Sequence, residues 1–248
     1  MRIAALALAV LSICCGGGGE RPAGPSPLAI GESLSLRLQT SHFQIFGGET
    51  PDATLRAAAD RLEAEYPRIL SDLGVGTHPV VSVRIWQDTT SYYNELTRYF
   101  GVRYQATGYI TGPTELRLLD GGNLNTNVVH EFVHAVSLSV NPRFGNNPRW
   151  FWEVVALYEN GEFVNPRLIE SVVNGRFPTL QQLNADVNAD TQVYQLGYLL
   201  GEFIVSRYGR PAFVRLIQTN ADLQGVLGVS NAEFEAAWQT FVRQKYLS

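Results

Sequence analysis

Cysteine is nearly missing from this chain: among 248 residues there are two, Cys14 and Cys15, side by side near the start. No pair remains to cross-link the rest, so a folded domain here must be held by its core. An excess of positive charge is missing too, with 19 Lys and Arg against 23 Asp and Glu and a net charge of −4. That balance offers no attraction to phosphate backbones or anionic lipid headgroups, and nucleic acid and peripheral membrane surfaces drop out as partners. No apolar run approaches the ~20 residues of a spanning helix. Histidine occurs four times and methionine once, at Met1. What is present is ordinary for a globular chain: 45% hydrophobic and 17% charged residues, enough apolar side chains for a sizeable core.

The opening MRIAALALAVLSICC has one basic residue and an apolar run from Ile3 to Ile13, the pattern of an export signal over 1–15. It resembles a bacterial lipoprotein signal. Leu11-Ser12-Ile13-Cys14 fits at Leu and Ser, while Ile13 stands where a small residue is expected, and taking Cys15 as acceptor puts Cys14 there. The expectation is an exported protein of the bacterial envelope, lipid-anchored through one of these cysteines; a cleaved signal with a periplasmic or secreted product is the alternative. Residues 16–31, GGGGERPAGPSPLAIG, read as a flexible tether, and the domain is expected over 32–248.

Within that domain SLSLRLQ (33–39), HFQIF (42–46) and VVSVRIW (80–86) read as strands, as do YQATGYI and TELRLL on either side of Gly112-Pro113. Thr50-Pro51 predicts an N-cap and first position for a helix running to Gly74, with Pro67 marking a kink or break. A helix over 91–100 follows. After Asn125 the pattern turns helical: 126–140, 148–160, 192–208, 210–219 and 231–246, the last opening with the capping-box spacing Ser230 to Glu233. Strands and helices followed by a helical half predict an α+β fold, with any cleft between the two layers.

The stretch NVVHEFVHAV (127–136) carries chemistry. On a helix His130 and His134 share a face, and Glu131 is turned about 100° to its flank. Two imidazoles so placed can bind zinc while the glutamate takes a proton from the attacking water. With four His and 15 Glu in the chain, this pattern would arise by chance about 0.004 times. The bland alternative is a pair of histidines on a polar helix face. A catalytic zinc ordinarily has three protein ligands. The metzincin pattern needs Gly and His where this chain has Ser137 and Val140, and a methionine turn where the only Met is Met1, so it fails.

The remaining arrangement places a glutamate on a second helix. RWFWEVVALYENG (149–161) supplies Glu153, with eighteen residues between it and His134. Here the chain resembles the gluzincin metallopeptidases, the thermolysin and aminopeptidase N type, many of which carry a Trp-x-x-Glu-Gly-x-Ala-x-Tyr run where this chain has Trp150, Glu153, Ala156 and Tyr158. The resemblance implies a zincin-like fold, one Zn2+ per chain held by His130, His134 and Glu153, and Glu131 as general base. It departs at Val154, where a glycine is usual, and at Leu157, where thermolysin-like enzymes have the aspartate that orients a ligand. Trp150 and Trp152 read as core residues. Small peptidase-MA-like domains have a Tyr-x-x-small-Tyr helix that VYQLGYLLGEFIVSRYG (193–209) resembles. It makes Tyr194, then Tyr198, the candidate oxyanion donor, with Gly197 and Gly201 allowing close packing. His42 and His78 read as satisfied surface or core residues. Peptides in such enzymes pair with an edge strand, which points to GYITGPTELRLL (108–119). No Gly-x-Met-Glu-Asn sequence is present, which tilts the expectation from aminopeptidase toward endopeptidase. Two rivals stand beside this peptide-hydrolase reading: a non-catalytic exported scaffold domain on the same fold, and a hydrolase of other amides or esters. No oligomer is expected.

Overall fold

A computed structural model describes residues 31–185 and 192–248. The expected export segment with its two cysteines, and the tether up to Ile30, lie outside the described residues.

Strands β1 (Ser35–Gln39) and β2 (Phe43–Gly47) pair antiparallel. Helix α1 (Asp52–Asp72) then returns the chain so that β3 (Val81–Trp86) joins β2 in parallel. Helix α2 (Thr89–Phe100) precedes a hairpin of β4 (Gly108–Gly112) and β5 (Glu115–Leu119), and β5, not β4, inserts beside β3. The mixed sheet therefore runs β1-β2-β3-β5-β4 and leaves β4 on one edge. Strand alternation divides the side chains. Phe43, Ile45, Val83, Ile85, Leu116 and Leu118 join the main core. Trp86 and Tyr109 join Tyr92 and Leu96 of α2 in a smaller cluster.

The expected cap of α1 fails, and the break allowed for at Pro67 does not occur. The helix begins at Asp52 with Pro51 in the cap position, and the buried Thr50 hydroxyl has no partner, so threonine caps nothing. Pro67 lies inside an unbroken helix. Its ring faces solvent, where water can serve the carbonyl that loses its donor.

The second half is helical. It comprises α3 (Leu124–Val140), α4 (Arg149–Glu159), two single turns α5 (Glu170–Val173) and α6 (Leu180–Leu183), then α7 (Gln192–Tyr208), α8 (Arg210–Gln218), α9 (Leu223–Leu227) and α10 (Asn231–Val242). The capping box forms as the spacing predicted: Ser230 N donates to Glu233 Oε2 at 2.8 Å and Glu233 N to Ser230 Oγ at 3.3 Å. Helices α5, α6 and α9 were not foreseen, because four or five residues are too few to display a helical period.

Helix α3 is buried all round from Val128 to Ser137, the signature of a central helix rather than a surface one. It packs against α1, α4, α8, β4 and β5, so whatever its polar residues do happens inside the molecule, between sheet and helical layer. Helix α4 is nearly as enclosed, and α7 lies against it. Gly197 and Gly201 make that approach work, since a Cβ at either would collide with Leu157 or Tyr158. Among the described residues no helix is long and apolar enough to cross a membrane. The architecture is α+β.

Candidate metal centre

His130, Glu131 and His134 sit mid-way along α3, and Glu153 comes from the first half of α4; all four are 4–9% exposed. Burying so many polar groups is costly unless they are paired. The two imidazoles, with ring centres 4.8 Å apart and planes at 83°, both turn their Nε2 atoms toward Glu153. Glu153 Oε2 is 3.3 Å from His130 Nε2 and 3.7 Å from His134 Nε2. Neither contact has hydrogen-bond geometry, and this oxygen is buried without a partner.

One donor atom from each of His130, His134 and Glu153 falls within 4.8 Å of the other two, the sole such grouping of metal-binding side chains among the described residues. Two imidazole nitrogens and a carboxylate oxygen converging in a buried space are a donor set that suits a divalent transition ion. The orphaned oxygen is what such an ion would satisfy. The group could thus hold a metal ion, with the loop 141–148 serving to bring α4 back against α3.

Electrostatics follow the same lines. Burial would raise Glu153, but the two imidazoles outweigh it and hold the carboxyl well below the usual range. Burial would lower His130, yet Glu153 and Glu162 carry it well above its ordinary value, whereas burial takes His134 down to about 4. A bound cation would compete with protons for these donors. Glu131 is pushed up to about 8 by burial, with Glu153 and Glu162 adding to the effect and His130 opposing it. Its side chain rests against the edge strand: a Cβ on Gly108 would fall 2.5 Å from Glu131 Oε1 and 2.9 Å from Cγ.

The two histidines are held differently. His130 Nδ1 is 2.8 Å from Glu162 Oε1, and Asn160 Nδ2 donates to that same oxygen at 2.8 Å and to Thr126 O at 2.9 Å. His134 Nδ1 is buried without a partner, and the Trp152 indole instead stacks on the ring at 4.0 Å and 6°. Trp152 is therefore both the core residue expected and a wall of the centre. Trp150 packs on Phe151 and Phe234, purely in the core.

Tyr194, near the start of α7, is half-buried against the main core. Burial pushes its phenol up, Glu153 and more weakly Glu131 add to this, and Arg149, whose guanidinium is 5.7 Å from the ring centre, opposes. Tyr198, one turn on, packs between Tyr158 and Phe163 at 5.5 and 5.4 Å and belongs to an aromatic cluster. His42 stacks on Tyr66 at 3.7 Å and pairs with Glu63 at 2.7 Å. His78 is held by Pro113 O at 2.8 Å and Ser139 Oγ at 3.0 Å. Neither reaches the centre.

Sequence reasoning missed four neighbours of the site: Glu162, Asn160, Gly108, and the fully buried Tyr92, whose hydroxyl lacks a partner and whose phenol is raised first by burial and then by Glu131. The one signal available was the run Glu-Asn-Gly-Glu at 159–162, a helix end followed at once by a carboxylate. No protein-family model matches the chain, and a search of curated proteins finds no match either.

Proposed function

We propose that this chain is a zinc-dependent metallopeptidase of gluzincin type on a zincin-like fold, exported to the bacterial envelope, acting on peptides or proteins as an endopeptidase. The observation that carries the reading is the convergence of His130, His134 and Glu153 on one buried point with Glu131 at its flank. Zinc held by those three residues would polarise the scissile carbonyl and acidify the attacking water.

The rest is work for the chain's own side chains. Glu131 takes the proton from the water and passes it to the leaving amine. Tyr194 of α7 supplies the donor for the developing oxyanion. Strand β4 at the sheet edge, with Gly108 against Glu131, is the backbone along which an extended peptide can pair. An unliganded carboxylate beside the three ligands favours catalysis over a purely structural site, which has no use for one.

The test is hydrolysis of a mixed peptide library by the purified protein beside Glu131→Gln. Cleavage that falls by about 10³-fold or more while bound zinc stays at the wild-type level supports the assignment. Cleavage that survives the substitution sinks it.

A further inference from the structure

We infer that Glu162, clamped by Asn160, is the positioning residue that fixes the tautomer and orientation of His130 as a metal ligand. The inference rests on the zinc reading above and assigns a role the sequence left without an owner, since the position where thermolysin-like enzymes carry an orienting aspartate is the buried Leu157 here.

The device begins as a helix end. Helix α4 stops at Glu159, Asn160 takes the cap position, and Gly161 adopts φ +72°, the left-handed conformation that glycine accepts without strain. Gly161 N then donates to Tyr158 O at 3.1 Å and Glu162 N to Leu157 O at 2.9 Å, the paired bonds of a Schellman cap. This reversal turns Glu162 back across the end of the helix toward α3. There its Oε1 meets His130 Nδ1 at 2.8 Å.

A carboxylate can only accept, so the proton of a neutral His130 must sit on Nδ1, and Nε2, the atom facing Glu153, is left with its lone pair free for a cation. Asn160 completes the arrangement by donating from one amide nitrogen to Glu162 Oε1 and to the Thr126 carbonyl of α3, which ties the end of α4 to α3. Partners of this kind, once removed, lower metal affinity by about 10–100-fold.

His134 gives the internal contrast. Its Nδ1 has no acceptor, so its ring plane is set by the Trp152 stack and its tautomer is not fixed by any charge.

The experiment is zinc affinity by competition with a chromophoric chelator, on the full chain, for wild type, Glu162→Ala, Glu162→Gln, Asn160→Ala and His130→Ala. Thermal unfolding in chelator and nitrogen-15 imidazole spectra accompany it. Expected are one tight zinc in wild type, about 10–100-fold weaker binding in Glu162→Ala, smaller losses in Glu162→Gln and Asn160→Ala, and a near-unchanged unfolding temperature in chelator. The His130 proton should lie on Nδ1 in wild type and lose that preference in Glu162→Ala. Wild-type affinity in Glu162→Ala, with His130→Ala having lost zinc, would overturn this inference alone. An unfolding temperature lowered as much without zinc as with it would overturn it in favour of a stabilising contact. No zinc in wild type would bring down the metal reading and this inference together.

Discussion

Helix α4 carries two buried glutamates, Glu153 and Glu159, and their surroundings are opposite. Glu159, with its side chain 1% exposed, is enclosed by cations: Arg68 Nη1 is 3.2 Å from Oε2, Arg68 Nη2 donates to the Glu159 carbonyl at 2.6 Å, and Arg210 contacts Oε1. Arg68 and Arg210 also reach Asp72, so the end of α4 is bolted to α1 and α8 with every oxygen matched. Glu153 has two imidazoles near one oxygen and a hydrogen bond to neither. A buried carboxyl with its partners complete is an element of construction. One left open among convergent donors is a place for a ligand, and only its position on the same helix makes the two look alike in sequence.

Exchanging the two carboxylates' side chains should separate these roles. The largest effect belongs to Glu153→Ala, which removes one of three ligands: zinc affinity measured against a chelator should fall by about 10³-fold or more, and an unchanged affinity would remove Glu153 from the centre. Next is Tyr194→Phe. Loss of one oxyanion donor is worth about 10²–10³ in kcat, with zinc content at the wild-type level; no loss would take the role away from Tyr194.

Glu159 offers the contrasting outcome. Burial pushes its carboxyl up to about 7, with Arg210 pulling the other way. The folded chain thus holds this proton more tightly than the unfolded one, so its contribution is fully present below the ordinary carboxylate value and is lost as pH rises toward 7. In urea unfolding, Glu159→Gln should remove about 2 kcal/mol of the wild-type fall in stability between roughly pH 5 and 7, and zinc binding should not change. An equal pH slope in both proteins would contradict this picture of Glu159. The smallest effect is Gly108→Ala, whose methyl displaces Glu131 and no ligand: turnover should drop about 10-fold, with zinc retained. Full turnover would mean that Glu131 does not need the space beside β4.

The sequence pointed to Glu153 and said nothing of Glu159, and what it left unread has a physical cause. His130, Glu131 and His134 were legible because a helix converts spacing into direction, and Glu153 because it sits on the next helix at a spacing that resembles a known pattern. The long strands and helices announced themselves by period. The carboxylate beside His130 did not, because the aspartate position of the resembling family holds Leu157 and names no replacement, whereas the chain delivers Glu162 from beyond the helix through a turn set by Gly161. Trp152 read as core since nothing in a sequence distinguishes an indole packed on leucine from one stacked on an imidazole. Thr50 failed as a cap because the Thr-Pro pattern cannot reveal that the helix would start at Asp52, with Pro51 at the cap and the threonine hydroxyl buried outside it. Gly108 acquires meaning only when α3 and β4 are side by side.

The most direct measurement is elemental analysis of the purified full chain beside His130→Ala, Glu131→Gln and Glu159→Gln. One zinc per chain in wild type, kept in Glu131→Gln and Glu159→Gln and lost in His130→Ala, is the result this account predicts. Wild type without stoichiometric zinc after expression and refolding with the metal supplied, or zinc undiminished in His130→Ala, would contradict it and leave His130, His134 and Glu153 as a buried polar cluster of the core.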